Sequence, residues 1–191
     1  MLVDRSSRTT LTQTVTSSPQ LTQNSESMKM NPTQSHVTCA KTLVRSEAEL
    51  SHIGARLADA LSPGDCVLLF GEMGVGKSVF ARAIARQLGV HGPMPSPTFT
   101  LMQVYDDARH TVVHMDLYRL ADADEAYGAG IHDMLGADNI CLIEWPDRFM
   151  GLFAMRGGAV YSVYIEYADN AGERYVTIEE ANEYTSDKQT P

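Results

Sequence analysis

Gly71 to Ser78 reads GEMGVGKS, a string whose residue types could hold a phosphate chain. The spacing is G-x-x-x-x-G-K-[ST], the P-loop pattern. Its glycines (Gly71, Gly74, Gly76) let the backbone turn with N–H groups facing inward. Lys77 is long enough to reach β- and γ-phosphates, and the Ser78 hydroxyl suits a magnesium ion. Both flanks agree with that chemistry. Asp65 to Phe70 is a short apolar run that reads as a buried strand, and Phe80, Ile84 and Leu88 recur as one face of a helix does. Gly89 stands where a helix C-cap glycine belongs. Strand, glycine loop and helix would set the phosphates at a helix N-terminus, whose partial positive charge adds to the loop amides. The alternative, a chance glycine-rich turn before a helix, has both flanks against it.

A triphosphate with Mg²⁺ needs oxygen ligands for the metal, and hydrolysis needs a group that positions water. Three carboxylates are candidates: Asp116, Glu144 and Asp147. Thr111 to Asp116 is an apolar run ending in Asp, the Walker-B form, and Ile140 to Trp145 is a second apolar run with Glu144 near its end. Strands of that kind deliver their last side chains to the sheet edge where ligands bind. Asp116 and Glu144, with Ser78, are therefore the expected metal residues. The competing readings are a strand-end turn cap for Asp116 and a salt bridge to Arg119 or Arg148 for Glu144. A carboxylate beside Leu142, Ile143 and Trp145 requires some partner in either case. His114 shares the strand face of Asp116 and reads as a hydrogen-bonded core histidine. Trp145 either stacks on a ligand or packs. Phe99, Tyr105, Tyr118 and Tyr127 read as core and rim rather than as a nucleic-acid platform.

The elements that must position these residues follow in chain order. Residues 1–35 are rich in Ser, Thr, Gln and Asn without apolar periodicity, which predicts a disordered extension. A transit peptide is the rival reading, weakened by Asp4. Residues 36–180 read as one domain. His36 to Val44 is a first strand, and Ser46 to Glu49 has the S-x-x-E form of a capping box. Leu50, Ile53, Leu57 and Leu61 continue it as an amphipathic helix ending near Ser62-Pro63-Gly64. The proline-punctuated stretch from His91 to Pro97 is a loop, Thr98 to Tyr105 a strand, and Thr111 to Asp116 its partner across a turn. Asp122 opens a helix limited by Gly128 and Gly130, and Ile131 to Leu135 adds another turn. Val160 to Tyr167 and Arg174 to Ile178 alternate as a terminal hairpin, and residues 181–191 read as a tail. The fold class is α/β: a P-loop NTPase-like three-layer domain with a mostly parallel sheet core and antiparallel additions.

The totals restrict the partners. The chain has 191 residues, 43% of them hydrophobic, and no run near the ~20 apolar residues of a membrane span. A net charge of −9 argues against a large nucleic-acid footprint of its own. Cys39, Cys66 and Cys141 lack metal spacing, and an odd number with two in apolar runs predicts buried thiols in a reducing compartment.

Four blocks, GEMGVGKS, SPTFTL (Ser96–Leu101), HMDLYRL (His114–Leu120) and CLIEWPD (Cys141–Asp147), occur in an order that resembles the TsaE family, also described as the YjeE family. The resemblance covers about residues 40–180. It implies a cytoplasmic ATPase, weak alone, that binds ATP with Mg²⁺ and acts on a complex of TsaB and TsaD. That complex makes N6-threonylcarbamoyladenosine in tRNA, so the resemblance brings tRNA in mainly through the partners. It also implies that the loop residues Gly71, Glu72, Met73, Gly74, Val75, Gly76, Lys77, Ser78 and Val79 hold the nucleotide. Thr98 then lies in a switch-like loop facing the γ-phosphate, Asp116 and Glu144 are metal-associated, and Glu47 stands near the nucleotide. Lys77, Thr98, Asp116 and Glu144 form the implied catalytic set. Ser78 stands where Thr is more usual, and the stretch Arg148 to Val160 departs from the family's usual linker. Two rivals stay open: a small-molecule kinase, whose lid arginines would come from Arg119, Arg148, Arg156 or Arg174, and a nucleotide-sensing module without turnover.

Overall fold

The computed structural model describes residues 39–106, 108–136, 138–153 and 158–181. The expected N-terminal extension, the first residues of the first strand and the tail after Ala181 lie outside the described residues.

One sheet of seven strands runs through the described chain. The strands are β1 (Cys39–Val44), β2 (Cys66–Phe70), β3 (Met102–Tyr105), β4 (Thr111–Asp116), β5 (Asn139–Glu144), β6 (Val160–Tyr167) and β7 (Arg174–Ala181), in the spatial order β1-β7-β6-β2-β5-β4-β3. β2 pairs in parallel with both β5 and β6, and β5 in parallel with β4. β3, β7 and β1 add antiparallel pairs at the two sides. The central strands read as unbroken apolar runs because both their faces are covered.

Successive strand residues face opposite sides, and each side has its own core. Val67, Leu69, Val112, Ile140 and Leu142 pack under α1 (Glu47–Ala58) and α2 (Lys77–Leu88). Cys66, Leu68, Val113, Met115, Cys141 and Ile143 pack on the other side with Ala126 of α3 (Ala123–Gly128), Ile131 of α4 (Ile131–Met134) and Phe153 of α5 (Met150–Phe153). This period of two puts His114 and Asp116 of β4, and Glu144 of β5, on the side of α2. Among the described residues, no helix is long and apolar enough to cross a membrane.

Several local signals work as written. Ser46 caps α1, its hydroxyl accepting from the Glu49 N–H at 3.1 Å. The reciprocal bond is displaced by one residue: the Glu49 carboxylate accepts from the Arg45 N–H at 2.8 Å. α1 stops at Ala58, earlier than Ser62-Pro63-Gly64, because Ala60 and Leu61 turn more tightly onto the Leu57 and Ala58 carbonyls. Gly89 closes α2 in the left-handed region, and Asp122 caps α3.

Two segments differ from the sequence reading. Thr98 to Leu101 is a turn, and the strand begins only at Met102. The Leu101 N–H donates to the Pro97 carbonyl at 2.6 Å, and Leu101 takes φ +67°, which ends the extended run. β7 continues to Ala181, past the expected end at Ile178, because it pairs with the whole length of β6. The terminal hairpin is present, but β6 also lies beside β2 within the sheet. Periodicity does not reveal such a neighbour.

Asp65 ties the entry of β2 to the entry of β6. Its buried carboxylate accepts from the Ser62 N–H at 2.8 Å and from the Ala159 N–H at 2.9 Å. Removing it leaves two backbone donors without their charged acceptor. Asp65→Ala is expected to lower the unfolding free energy by about 2–4 kcal/mol, read as a lower urea midpoint at unchanged slope. A midpoint equal to that of the parent chain would show that water replaces the carboxylate without loss.

Candidate functional site

Parallel strands bring their C-terminal ends to one edge of the sheet, and the glycine loop leaves β2 there. Gly71, Gly74 and Gly76 have φ of +136°, +79° and +119°, values that L side chains rarely adopt. A Cβ on Gly71 would run into the Ile165 carbonyl oxygen. The loop feeds directly into α2 at Lys77.

Beside the loop lies a cavity of about 300 Å³. Met73, Gly74, Gly76, Lys77, Ser78 and Val79 form one wall, Thr98 comes from the turn before β3, Asp116 and Tyr118 from the end of β4, and Glu144 and Trp145 from the end of β5. The adjacent pair Lys77 and Ser78 thus converges with Thr98, Asp116 and Glu144, which come from three other stretches of the chain. Gly71, Glu72 and Val75 do not line the cavity. The first two offer their carbonyls to Lys77, and Val75 is buried in the core. Glu47 is elsewhere: it borders a separate groove with His52, Arg82 and Met94, and Val79 is the residue the two concavities share.

Lys77 is only 4% exposed, and its ammonium donates to the Gly71 carbonyl at 2.6 Å and the Glu72 carbonyl at 2.8 Å. The Trp145 ring covers it, with its centroid 3.8 Å from Nζ. Burial pulls the Lys77 pKa below the usual lysine range; Glu144, Asp116 and Asp147 oppose that pull through their negative charge. Trp145 reaches the ammonium because its backbone takes φ +58° directly after β5. Tyr118 supports the indole at 4.9 Å between ring centroids.

The carboxylates are held by hydroxyls, an imidazole and a backbone amide. Glu144 accepts from the Ser78 hydroxyl at 3.0 Å through one oxygen and bonds His114 Nε2 at 2.8 Å through the other. Asp116 accepts from the Thr98 hydroxyl at 2.6 Å and from the Tyr118 N–H at 3.0 Å. The salt bridge from Glu144 to Arg119 or Arg148 is not what forms. Arg148 donates to the Leu120 carbonyl, and Arg119 lies over the Phe99 ring. Geometry decides this: His114 stands on the neighbouring strand, two residues before the register partner of Glu144, while both arginines follow the strand ends. Asp147 stays exposed outside the cavity. The aromatic set is rim more than core: Phe99 is 88% exposed, and Tyr118 and Tyr127 are also largely open to solvent.

Oxygen donors from Ser78, Asp116 and Glu144 suit a hard cation. Among the described residues, no three His, Cys, Asp or Glu side chains lie close enough to hold a metal ion unaided.

The architecture and the site define a mixed α/β protein with one seven-stranded sheet and a glycine loop opening onto an acidic cavity. A family profile described as threonylcarbamoyl adenosine biosynthesis protein TsaE matches residues 44–178, and the chain belongs to that family. It is 40% identical over 105 residues to the tRNA threonylcarbamoyladenosine biosynthesis protein TsaE of Haemophilus influenzae, a match covering 55% of this chain and 65% of that relative. It is 38% identical over 109 residues to the TsaE of Rickettsia bellii, covering 56% and 75% of the two chains. The crystal structure of YdiB from Bacillus subtilis superposes with a TM-score of 0.58 at 27% identity, covering 77% of this chain and 88% of that one.

The sequence reading made His114 a hydrogen-bonded core histidine without naming its partner, which is Glu144. His114→Leu removes the donor to a buried carboxylate oxygen, and the unfolding free energy is expected to fall by about 1–3 kcal/mol. The double variant His114→Leu with Glu144→Leu is expected to lose less than the sum of the two single variants in urea unfolding. Additive losses would show that the pair contributes no coupling.

Proposed function

We propose that this chain is a P-loop ATPase that binds ATP with Mg²⁺ and acts in threonylcarbamoyladenosine formation on tRNA, working on a TsaB–TsaD complex. The observation that carries the reading is the convergence on one cavity of the Lys77 ammonium, the Ser78 hydroxyl and the Asp116 and Glu144 carboxylates, beside a glycine loop at a helix N-terminus. Membership of the TsaE family supports the pathway.

The residues would divide the work as follows. The loop amides and the α2 N-terminus bind the phosphate oxygens. Lys77 supplies a fixed positive charge from a water-poor site, where it acts more strongly than in bulk water. Ser78, Asp116 and Glu144 would hold the metal, which neutralises charge on the β- and γ-phosphates. Asp116, through its bond to Thr98, ties the turn before β3 to the cavity, so that a change at the γ-phosphate could be felt at Phe99 on the surface. The acidic chain suits a component that leaves tRNA contact mainly to its partners.

A small-molecule kinase is less well supported. Among the described residues, no arginine lines the cavity. Arg119, Arg148 and Arg174 are occupied by Phe99, the Leu120 carbonyl and the Val75 carbonyl, and Arg156 lies outside the described residues.

Phosphate release with Mg²⁺ is the direct test, measured for the chain alone and with TsaB, TsaD and tRNA. Partners are expected to stimulate the rate, and Lys77→Ala to lower the stimulated rate by about a hundredfold or more without unfolding the protein. Partners without effect would overturn the pathway assignment. ADP formation only in the presence of a small-molecule acceptor would favour the kinase.

A further inference from the structure

We propose that Tyr167 and Arg174, at the end of β6 and the start of β7, are positioning residues that hold the glycine loop in its anion-binding shape. The inference rests on the nucleotide reading of the cavity and adds a brace on the loop's outer side.

The loop runs along the hairpin rather than standing free. Tyr167 donates its hydroxyl to the Met73 carbonyl at 3.2 Å. Arg174 donates Nε to the Val75 carbonyl and Nη1 to the Gly172 carbonyl, the second at 2.8 Å, so its guanidinium is pinned between loop and hairpin turn. Two of the loop glycines, Gly71 and Gly74, meet the same hairpin. A Cβ at Gly71 would strike the Ile165 carbonyl and one at Gly74 would come within 3.2 Å of the Tyr167 hydroxyl, whereas one at Gly76 would meet Leu50 of α1 at 2.6 Å. Gly71 and Gly74 thus answer two demands: positive φ within the loop, and close approach of the hairpin outside it.

The consequence follows from the geometry of a peptide unit, whose C=O and N–H point in opposite directions. Donors that hold the Met73 and Val75 carbonyls on the outside fix the N–H groups of the following residues, Gly74 and Gly76, toward the other side. Both glycines line the cavity. Loop amides fixed in this way bind an anion without first losing conformational freedom. Neither residue lines the cavity, so neither is catalytic.

The test uses Tyr167→Phe, Arg174→Ala and Arg174→Gln, the last retaining an N–H donor. Lys41→Ala, which breaks the exposed ion pair to Glu166 on the same hairpin, is the control. Amide exchange of Gly74 and Gly76 is measured by NMR in the ligand-free protein, and Mg²⁺–ATP binding by calorimetry. Tyr167→Phe is expected to weaken binding about three- to tenfold and Arg174→Ala about tenfold or more, with faster exchange at both amides and an unchanged urea midpoint for Tyr167→Phe. Arg174→Gln is expected to recover part of the loss, and Lys41→Ala to match the parent chain. Parent exchange rates at Gly74 and Gly76 in both Tyr167→Phe and Arg174→Ala would overturn the brace. Faster exchange with ATP affinity within twofold of the parent would overturn it equally. Parent-like ATP binding by Lys77→Ala would instead sink the nucleotide reading, and the exchange rates would then decide the brace on their own.

Discussion

A lysine with 4% of its surface exposed is costly unless its surroundings answer the charge. Much of this fold can be read as that answer. Two backbone carbonyls of the glycine loop accept from Lys77, an indole covers it, and the field of Glu144 and Asp116 offsets part of the desolvation. The loop can offer those carbonyls only because its glycines accept positive φ. The carboxylates can stand close only because β2, β5 and β4 are parallel neighbours that end at the same edge.

Backbone strain gathers at the same place. Among the described residues, the non-glycine positions with positive φ are Leu101 and Trp145. Each costs of order 1–2 kcal/mol in the left-handed region. Both border the cavity machinery. Leu101 ends the turn that carries Thr98 to Asp116, and its carbonyl accepts from the Asp116 N–H at 3.0 Å. Trp145 turns its ring back over Lys77, and its own N–H donates to the Leu69 carbonyl at the end of β2. Strain confined to two strand ends, each secured by hydrogen bonds to the sheet, marks a site held in a set shape.

The hydrogen bonds of the carboxylates also link the site to the surface. Asp116 holds Thr98, and one residue beyond it Phe99 stands almost fully exposed with Arg119 near its ring. Glu144 is held from inside, by Ser78 and by the buried His114. One carboxylate therefore holds a surface turn, while the other is fixed into the sheet and the start of α2.

Some of this was legible in residue order alone. The GEMGVGKS spacing, the apolar run before it and the period of Phe80, Ile84 and Leu88 are local, and local geometry determined strand, loop and helix from them. The period of two along a strand also placed His114 and Asp116 on one face. Tertiary structure decided which strands are neighbours. That choice gave Glu144 to His114 instead of an arginine, inserted β6 beside β2, and left Glu47 in a separate groove. It also turned Thr98 to Leu101 out of the strand their β-rich composition suggests, because the Thr98 hydroxyl and the Leu101 carbonyl both bond Asp116. Spacing along the chain encodes the period of an element, whereas partnership across a sheet depends on packing among residues far apart in sequence. The chemistry of the loop was therefore readable from the sequence, and the contacts that hold Lys77, Glu144 and Asp116 were not.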